Sequence, residues 1–295
     1  MVISFHPRLV GDLQLRLPRA GPLGAELRAL LRRAWAAVLP QSVSGEHYRA
    51  VGSLCPRVFP DYTWRFGPEG EGYEGKAGAA ALFARLALPH PRTFRFDSPQ
   101  ALKAHLARHG GLPLPFPLVL KGDGGGGGNW VFLVRDAAGL AAPLERLEVR
   151  GWPVVIQEYV EHGGRDCRVV VLGRRLFSYW RRQPAGGEWR TNVGRGAAID
   201  RAGEPRLRRS AEEAVARACR LTGLNLAAFD VIFGPREEPL LLEVNYLFGR
   251  KGLPGPYYHL VARAVCEWLA AVEECPVRPA GDKLERKDLE ATPWP

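Results

Sequence analysis

Ala227-Ala-Phe-Asp-Val-Ile-Phe233, then Gly234-Pro-Arg-Glu-Glu-Pro239, then Leu240-Leu-Leu-Glu-Val-Asn-Tyr246 is the stretch that decides the fold. Two apolar runs flank a glycine- and proline-bearing turn, which is a hairpin signal. Each run carries an acid where a core strand should be apolar: Asp230 in the first and Glu243 in the second. Asn245 follows Glu243 by two residues, so strand periodicity puts both on one face. Antiparallel pairing brings Asp230 opposite them. Two carboxylates and an amide oxygen on one half-buried face repel each other and are poorly solvated, a cost that a hard cation such as Mg²⁺ removes. The alternative is a solvated sheet face whose acids point at water; the otherwise apolar strands argue against it.

Outward from this hairpin, the 295 residues suffice for two or three small domains with real cores. Apolar content of 46% and charged content of 24% are those of a globular chain. The net charge of +10 suits anionic ligands, although much of it is Arg scattered through Ala/Leu-rich helices. Cys55, Cys167, Cys219, Cys266 and Cys275 are widely spaced with no CxxC pair, which argues against a zinc site or a disulfide framework and fits a reducing cytosol. No run spans a membrane, and the first residues show no basic-then-apolar signal pattern.

Upstream, short apolar runs at Val2–Phe5, Ala37–Leu39 and Arg57–Phe59 alternate with helical patterns at Gly24–Val38 and Glu46–Val51, which predicts a small parallel sheet. Gly67–Gly75 reads as a linker and Lys76–Leu88 as an Ala-rich helix. Thr93–Phe96 is a predicted strand, and Ser98 caps a helix over Pro99–His109 with Gly110 past its end. Pro117–Lys121 and Trp130–Val134 are strands around the run Gly122-Asp-Gly-Gly-Gly-Gly-Gly-Asn129. This is a flexible flap and not a Walker loop, since no GK[ST] and no helix follow. Its glycines can turn backbone N–H groups toward a phosphate, and Lys121 adds a point charge for the same group. A helix from Asp136 to about Arg150 and a buried strand Pro153–Val160 come next. Arg165–Leu172 and Arg175–Arg181 form a second hairpin in which Asp166 and Arg168 share a face, and Arg181 and Arg182 end it. The polar loop Trp189–Gly196 carries Arg190, Asn192 and Arg195, an arginine cluster able to grip phosphate or carboxylate. Glu204–Leu221 and Tyr257–Val272 are predicted helices, and the proline- and charge-rich tail from Pro276 to Pro295 is expected to be largely disordered.

Taken together, Lys76 to Leu269 resembles the ATP-grasp superfamily, nearest to its ribosomal-protein glutamate ligase and gamma-glutamyl ligase type of carboxylate–amine ligases. The residues that carry the likeness are Glu243-Val-Asn245 with Asp230, Gln157-Glu-Tyr-Val160, Asp166-Cys-Arg168 and Trp189-Arg-Thr-Asn192. The resemblance implies a mixed α/β and α+β chain: a small parallel α/β domain over 1–75, an ATP-grasp domain over 76–275 whose two α+β subdomains (76–160 and 161–275) clamp ATP, and a tail over 276–295. It implies phosphate contacts from Lys76, Lys121 and the flap glycines Gly125, Gly126 and Gly127. It implies adenine contacts along Gln157, Glu158, Tyr159 and Val160, a ribose contact from Asp166, and a pocket lined by Arg190, Thr191 and Asn192. Asp230, Glu243 and Asn245 would hold Mg²⁺, with Mn²⁺ as a substitute, and Arg182 or Arg190 would meet the transferred phosphoryl group. The reaction implied is ligation of an unidentified carboxylate and amine through an acylphosphate, in the cytoplasm; a homo-oligomer is left open. The sequence departs from the family at Tyr246-Leu-Phe-Gly-Arg-Lys-Gly252, where these ligases have a small-residue and proline turn that helps to shape the acceptor site. A degenerate ATP-grasp module with a scaffold role is the alternative, against which the intact Asp/Glu/Asn set argues. A basic nucleic-acid binder is disfavoured because no aromatics are interleaved with the arginines along the sequence.

Overall fold

The computed structural model describes residues 1–67, 72–185, 188–270 and 276–279. Strands β1 (Val2–Ser4), β2 (Leu9–Val10) and β3 (Leu13–Gln14) lead through α1 (Ala25–Arg33) to β4 (Ala36–Val38), and through α2 (Gly45–Gly52) to β5 (Val58–Phe59). The sheet β3-β1-β4-β5 is parallel throughout, as the strand–helix alternation predicts. Helix α1 stops at Arg33 and does not run to Val38, because Ala36–Val38 joins the sheet beside β1. A buried apolar run satisfies helical and strand spacing alike, and here the pairing decides.

Helix α3 (Thr63–Phe66) precedes the expected linker, of which residues 68–71 lie outside the described residues. Then follow α4 (Gly75–Arg85), β6 (Thr93–Phe96), α5 (Pro99–His109), β7 (Leu118–Gly122), β8 (Val131–Val134), α6 (Ala141–Glu148) and β9 (Val154–Glu158). The antiparallel sheet β6-β9-β7-β8 carries the glycine flap between its two neighbours β7 and β8. The Ser98 hydroxyl accepts from the Ala101 N–H at 3.1 Å, and Gly110 takes the left-handed conformation at φ 69°, so α5 begins and ends as its sequence predicts. The helix expected from Asp136 starts later, after a 3₁₀ turn over Ala138–Leu140.

The third sheet is built from β10 (Arg165–Leu172), β11 (Arg175–Arg182), β12 (Ala198–Asp200), β13 (Leu226–Phe233) and β14 (Pro239–Asn245), antiparallel in the order β12-β11-β10-β13-β14. Helix α7 (Pro205–Thr222) packs on one face of it and α8 (Tyr257–Leu269) on the other. Strand β15 (Arg278–Pro279) pairs with β2, and Val277 is buried, so the first four residues of the expected tail, 276–279, pack on the fold; residues 280–295 lie outside the described residues. Cys55, Cys167 and Cys219 are free and buried, whereas Cys266 is disulfide-bonded, which the wide spacing gave no reason to expect. No helix of the described residues is long and apolar enough to cross a membrane.

Three cores result. The sheet β6–β9 closes its own core with α5 and α6, around Leu102, Leu118, Leu144 and Ile156. The N-terminal sheet has no core to itself: Ile3 and Leu31 share one with Phe83, Val215 and Phe229, and Val2, Val38 and Phe59 share another with Val170, Leu226 and Leu260. The chain thus forms one lobe of two welded sheets and one lobe of a separate sheet.

Candidate active site

Strand register sets charges in line across the five-stranded sheet. Asp166 lies opposite Arg181, Arg168 opposite Asp230, and Asp230 opposite Glu243. Residues two apart share a face, so Asp166 goes with Arg168 and Glu243 with Asn245. A bulge follows Asp230, where the pairing passes from Glu243 to Leu241 and skips Leu242. Bulges re-aim side chains in this way beside functional sites.

Arg168 donates from Nε and Nη2 to the two oxygens of Asp230 at 2.7 and 2.8 Å. Arg181 donates from Nε to Asp166 Oδ1 at 2.7 Å, pairs through Nη2 with Asp166 Oδ2, and reaches Asp230 Oδ2 at 3.0 Å. Asn245 Nδ2 donates to Asp230 at 3.2 Å, and the Thr191 hydroxyl donates to Asp166 at 2.8 Å. Burial pushes the Asp230 carboxyl up, but the charges and hydrogen bonds of Arg168 and Arg181 outweigh it and hold the group at about 2. Glu243 has no such support. Burial and then the Asp230 charge raise it, and Lys76 and Lys121 oppose them only in part. No hydrogen bond or ion pair of the described residues reaches its carboxylate. Asn245, which spends its amide nitrogen on Asp230, keeps its carbonyl oxygen as an acceptor.

The facing wall is built from β7, β9 and the flap. Lys121 Nζ donates to Gln157 Oε1 at 2.6 Å, and Gln157 Nε2 donates to Thr93 at 2.8 Å. Burial lowers the Lys121 ammonium to about 8 against the opposing pull of Glu243. Asp123 Oδ1 accepts from the Lys76 and Ala77 N–H groups at 2.7 and 3.0 Å, which ties the start of α4 to the flap. Lys76 Nζ donates to the carbonyls of Gly124 and Gly125 at 3.3 and 3.4 Å. Arg190 donates to the carbonyls of Gly128 and Val131 at 2.8 and 3.2 Å and is itself gripped by Glu188 at 2.9 and 2.6 Å. At Gly128 the backbone is left-handed at φ 70°, and a Cβ would stand 2.5 Å from Asn192 Oδ1, so only glycine lets the flap approach this loop.

Between the walls lies a cavity of about 520 Å³. Lys76, Lys121, Gly125, Gly126, Gly127 and Gln157 line it, as do Glu158, Tyr159, Val160 and Asp166; so do Arg190, Thr191 and Asn192, and with them Asp230, Glu243 and Asn245. Arg182 does not. Strand alternation turns it to the other face from Arg181, where Nε donates to Asp200 at 3.0 Å, Nη2 pairs with Glu204 and the guanidinium stacks on Trp180 at 4.8 Å. His6 also lies away from the cavity, packed edge-on against Tyr258, and burial lowers its imidazole to about 4. The cavity gains residues to which the sequence assigned no role. Arg168 and Arg181 were legible only as alternation, and their partners only once the register was known. Arg65 and His162 gave no signal, and Trp189 and Tyr246 entered only as the first residues of the Trp189–Asn192 motif and of the divergent loop. Arg65 arrives from the N-terminal sheet's end of the chain, its guanidinium 4.6 Å from the Tyr246 ring and bonded through Nη1 to the Gln41 carbonyl at 3.0 Å. Tyr246 and Leu247, the first two residues of the divergent loop, line the cavity beside it.

Residues 74–255, more than half of the chain, match the family described as the RimK-like ATP-grasp domain. The chain belongs to that family. A probable alpha-L-glutamate ligase of Teredinibacter turnerae is 30% identical over 179 residues, covering 60% of this chain and 57% of the relative. The chain therefore spans less than two thirds of the length of that curated relative. Among solved structures, a RimK domain ATP-grasp protein from Sphaerobacter thermophilus superposes with a TM-score of 0.51 at 17% identity, over 84% of this chain and 92% of the other. An ADP complex of N5-carboxyaminoimidazole ribonucleotide synthetase superposes with a TM-score of 0.59 at 12% identity, over 87% and 66%. At these identities the two structures speak for the fold alone: the ATP-grasp fold, with the flap lobe and the welded lobe as its two clamping halves.

Proposed function

We propose that this protein is an ATP- and magnesium-dependent carboxylate–amine ligase that acts through an acylphosphate. One observation carries the reading: Glu243, a carboxylate with no ion-pair partner among the described residues, stands across from Asp230 in a cavity that also holds Lys76, Lys121 and the glycine flap. Mg²⁺, or Mn²⁺ in its place, would be held by Asp230, Glu243 and Asn245, and when bound supplies the positive charge that neutralises a transferring phosphoryl group. The oxygen-only donor set and the uncompensated Glu243 fit such an ion. The cavity volume suits a nucleotide. Glu158, Tyr159 and Val160 at the end of β9 would read the adenine edge, and Asp166, fixed by Arg181 and Thr191, would face the ribose. Lys121 is partly neutral near pH 8 when free; an anionic phosphate beside it restores the ammonium. Arg190, fixed by Glu188 and holding the flap carbonyls, is the side chain proposed at the transferred phosphoryl group.

In the reaction the substrate carboxylate takes the γ-phosphoryl group of ATP, an amine attacks the acyl carbon, and phosphate leaves. Closing the lobes excludes water that would hydrolyse the mixed anhydride. The name carried by the relatives favours an amino acid as one substrate. With this reading go a domain division at 75/76 and 160/161 and a cytoplasmic site of action, where ATP is supplied. Phosphate release from ATP, followed with magnesium and a mixture of amino acids and peptides, tests it. Release that needs both an acid and an amine is expected, with a covalent adduct seen by mass spectrometry. ATP turnover at full rate in Glu243→Ala would overturn the metal assignment.

A further inference from the structure

A second concavity, of about 790 Å³, adjoins the first, and Trp130, Trp189 and Arg190 line both. Five arginines line it and no carboxylate does. Arg190 and Arg195 already share Glu188. The other three, Arg135, Arg146 and Arg150, are exposed and have no carboxylate partner among the described residues. Arg146 is in the last turn of α6 and Arg150 lies two residues past its end, in the turn that follows, so two like charges are four residues apart. They are nonetheless held in place. Arg146 lies over Phe132 at 5.1 Å and over Trp130 at 5.9 Å, and Arg150 over Trp130 at 4.7 Å and over Trp152 at 5.5 Å. A guanidinium stacked on a ring gives up rotamer freedom but keeps its in-plane fork of donors free.

We infer that this concavity docks an acidic peptide segment, and that it guides such a segment toward the neighbouring cavity. The docking stands on the arginines alone; its use in guiding a substrate rests on the ligase reading. Charge complementarity selects an anion, and the fixed forks select carboxylates, which they meet in bidentate fashion. A single-stranded nucleic acid is the weaker fit. Its bases bind by stacking on open aromatic faces, and here Trp130, Trp152 and Phe132 already carry guanidiniums.

The test is fluorescence anisotropy on the full chain without ATP, using a dye-labelled six-residue peptide of Asp and Glu, its Asn/Gln counterpart and a six-nucleotide single-stranded DNA. The acidic peptide is expected to bind with an affinity that falls as salt rises, and the amide peptide not to bind. The double variant Arg146→Gln/Arg150→Gln should weaken the acidic peptide about tenfold or more, as expected for charged hydrogen bonds. Arg135→Gln, which disturbs no aromatic contact, should weaken it by about threefold and serves if the double variant fails to fold. Both variants should keep the ATP KM of the parent. Acidic-peptide binding that is absent or indifferent to all three substitutions overturns the inference, and so does DNA binding of equal strength through the same arginines. Peptide binding by a chain that releases no phosphate from ATP would uphold the docking and overturn the ligase reading.

Discussion

The two walls of the cavity handle charge in opposite ways. On the five-stranded sheet, Arg168 and Arg181 neutralise Asp230 and Asp166 inside the protein, and the strands that carry them belong to cores shared with the N-terminal sheet. On the flap wall, the cations Lys121 and Lys76 find, among the described residues, only amide and main-chain oxygens within hydrogen-bonding distance, and the sheet beneath has its own small core. The first wall is complete without a ligand; the second is left short of negative charge. Glu243 belongs by sequence to the first wall and by electrostatics to the second, since Lys76 and Lys121 oppose its raised pKa more than Arg168 of its own sheet does. In the proposed reaction a nucleotide with its metal would supply a cation to Glu243 and negative charge to the flap wall.

The strongest way to break this contrast is Asp230→Ala. It strands the buried Arg168 guanidinium and takes from Arg181 one of its two carboxylates, and removing one partner of a buried pair costs on the order of 3–5 kcal/mol. Urea titration should register that loss together with the disappearance of ATP turnover. Glu243→Ala should separate the two readouts. Activity is expected to fall by about 10²-fold or more, the scale for lost charge stabilisation at a transferring group. Folding stability should hold or rise, because a carboxylate with a raised pKa and no partner is removed. If both variants lose stability alike, the two walls do not differ in the manner argued.

The pH dependence sharpens the same point at the flap wall. Lys121 is lowered by burial from 10.5 to about 8 in the folded chain. Between those values the unfolded chain keeps a proton that the folded chain releases, so this group makes stability rise with pH over that window. Below about 8 its buried charge is a standing cost. Lys121→Met removes that cost, and its stability relative to the parent should therefore drop by roughly 2 kcal/mol between pH 7.5 and pH 10 as the parent catches up. Guanidinium titrations at the two pH values measure it. A constant difference would mean that Lys121 is already well paired.

Much of this was readable in the residues. The hairpin Leu226–Asn245 announced itself because two acids and an amide interrupt runs that are otherwise apolar, and because period-two spacing fixes which of them share a face. The flap was readable because five consecutive glycines have few structural uses. The ion-pair ladder was not. Asp166, Arg168, Arg181 and Asp230 come from three strands, and only cross-strand register makes them neighbours. Arg65 and Tyr246 escaped for the same reason: their contact joins positions 181 apart in a chain whose N-terminal sheet reads, by sequence, as a separate domain.

Arg182 offers the smallest expected effect and a sharp control. It is adjacent in sequence to Arg181, yet alternation sends it to the other face, where it is about a third exposed and bonds to Asp200 and Glu204 outside the cavity. Half-exposed pairs of this kind contribute about 1 kcal/mol or less. Arg182→Gln should accordingly leave kcat and the ATP KM within about twofold of the parent and cost no more stability than that. Steady-state kinetics at saturating ATP decide the matter. A loss of kcat as large as that of Glu243→Ala would put Arg182 at the phosphoryl group after all, which requires β11 to turn over relative to β10 when the lobes close. Because each of the eight register pairs between those strands would then change face, a β11 fixed in its pairing and a catalytic Arg182 cannot both hold.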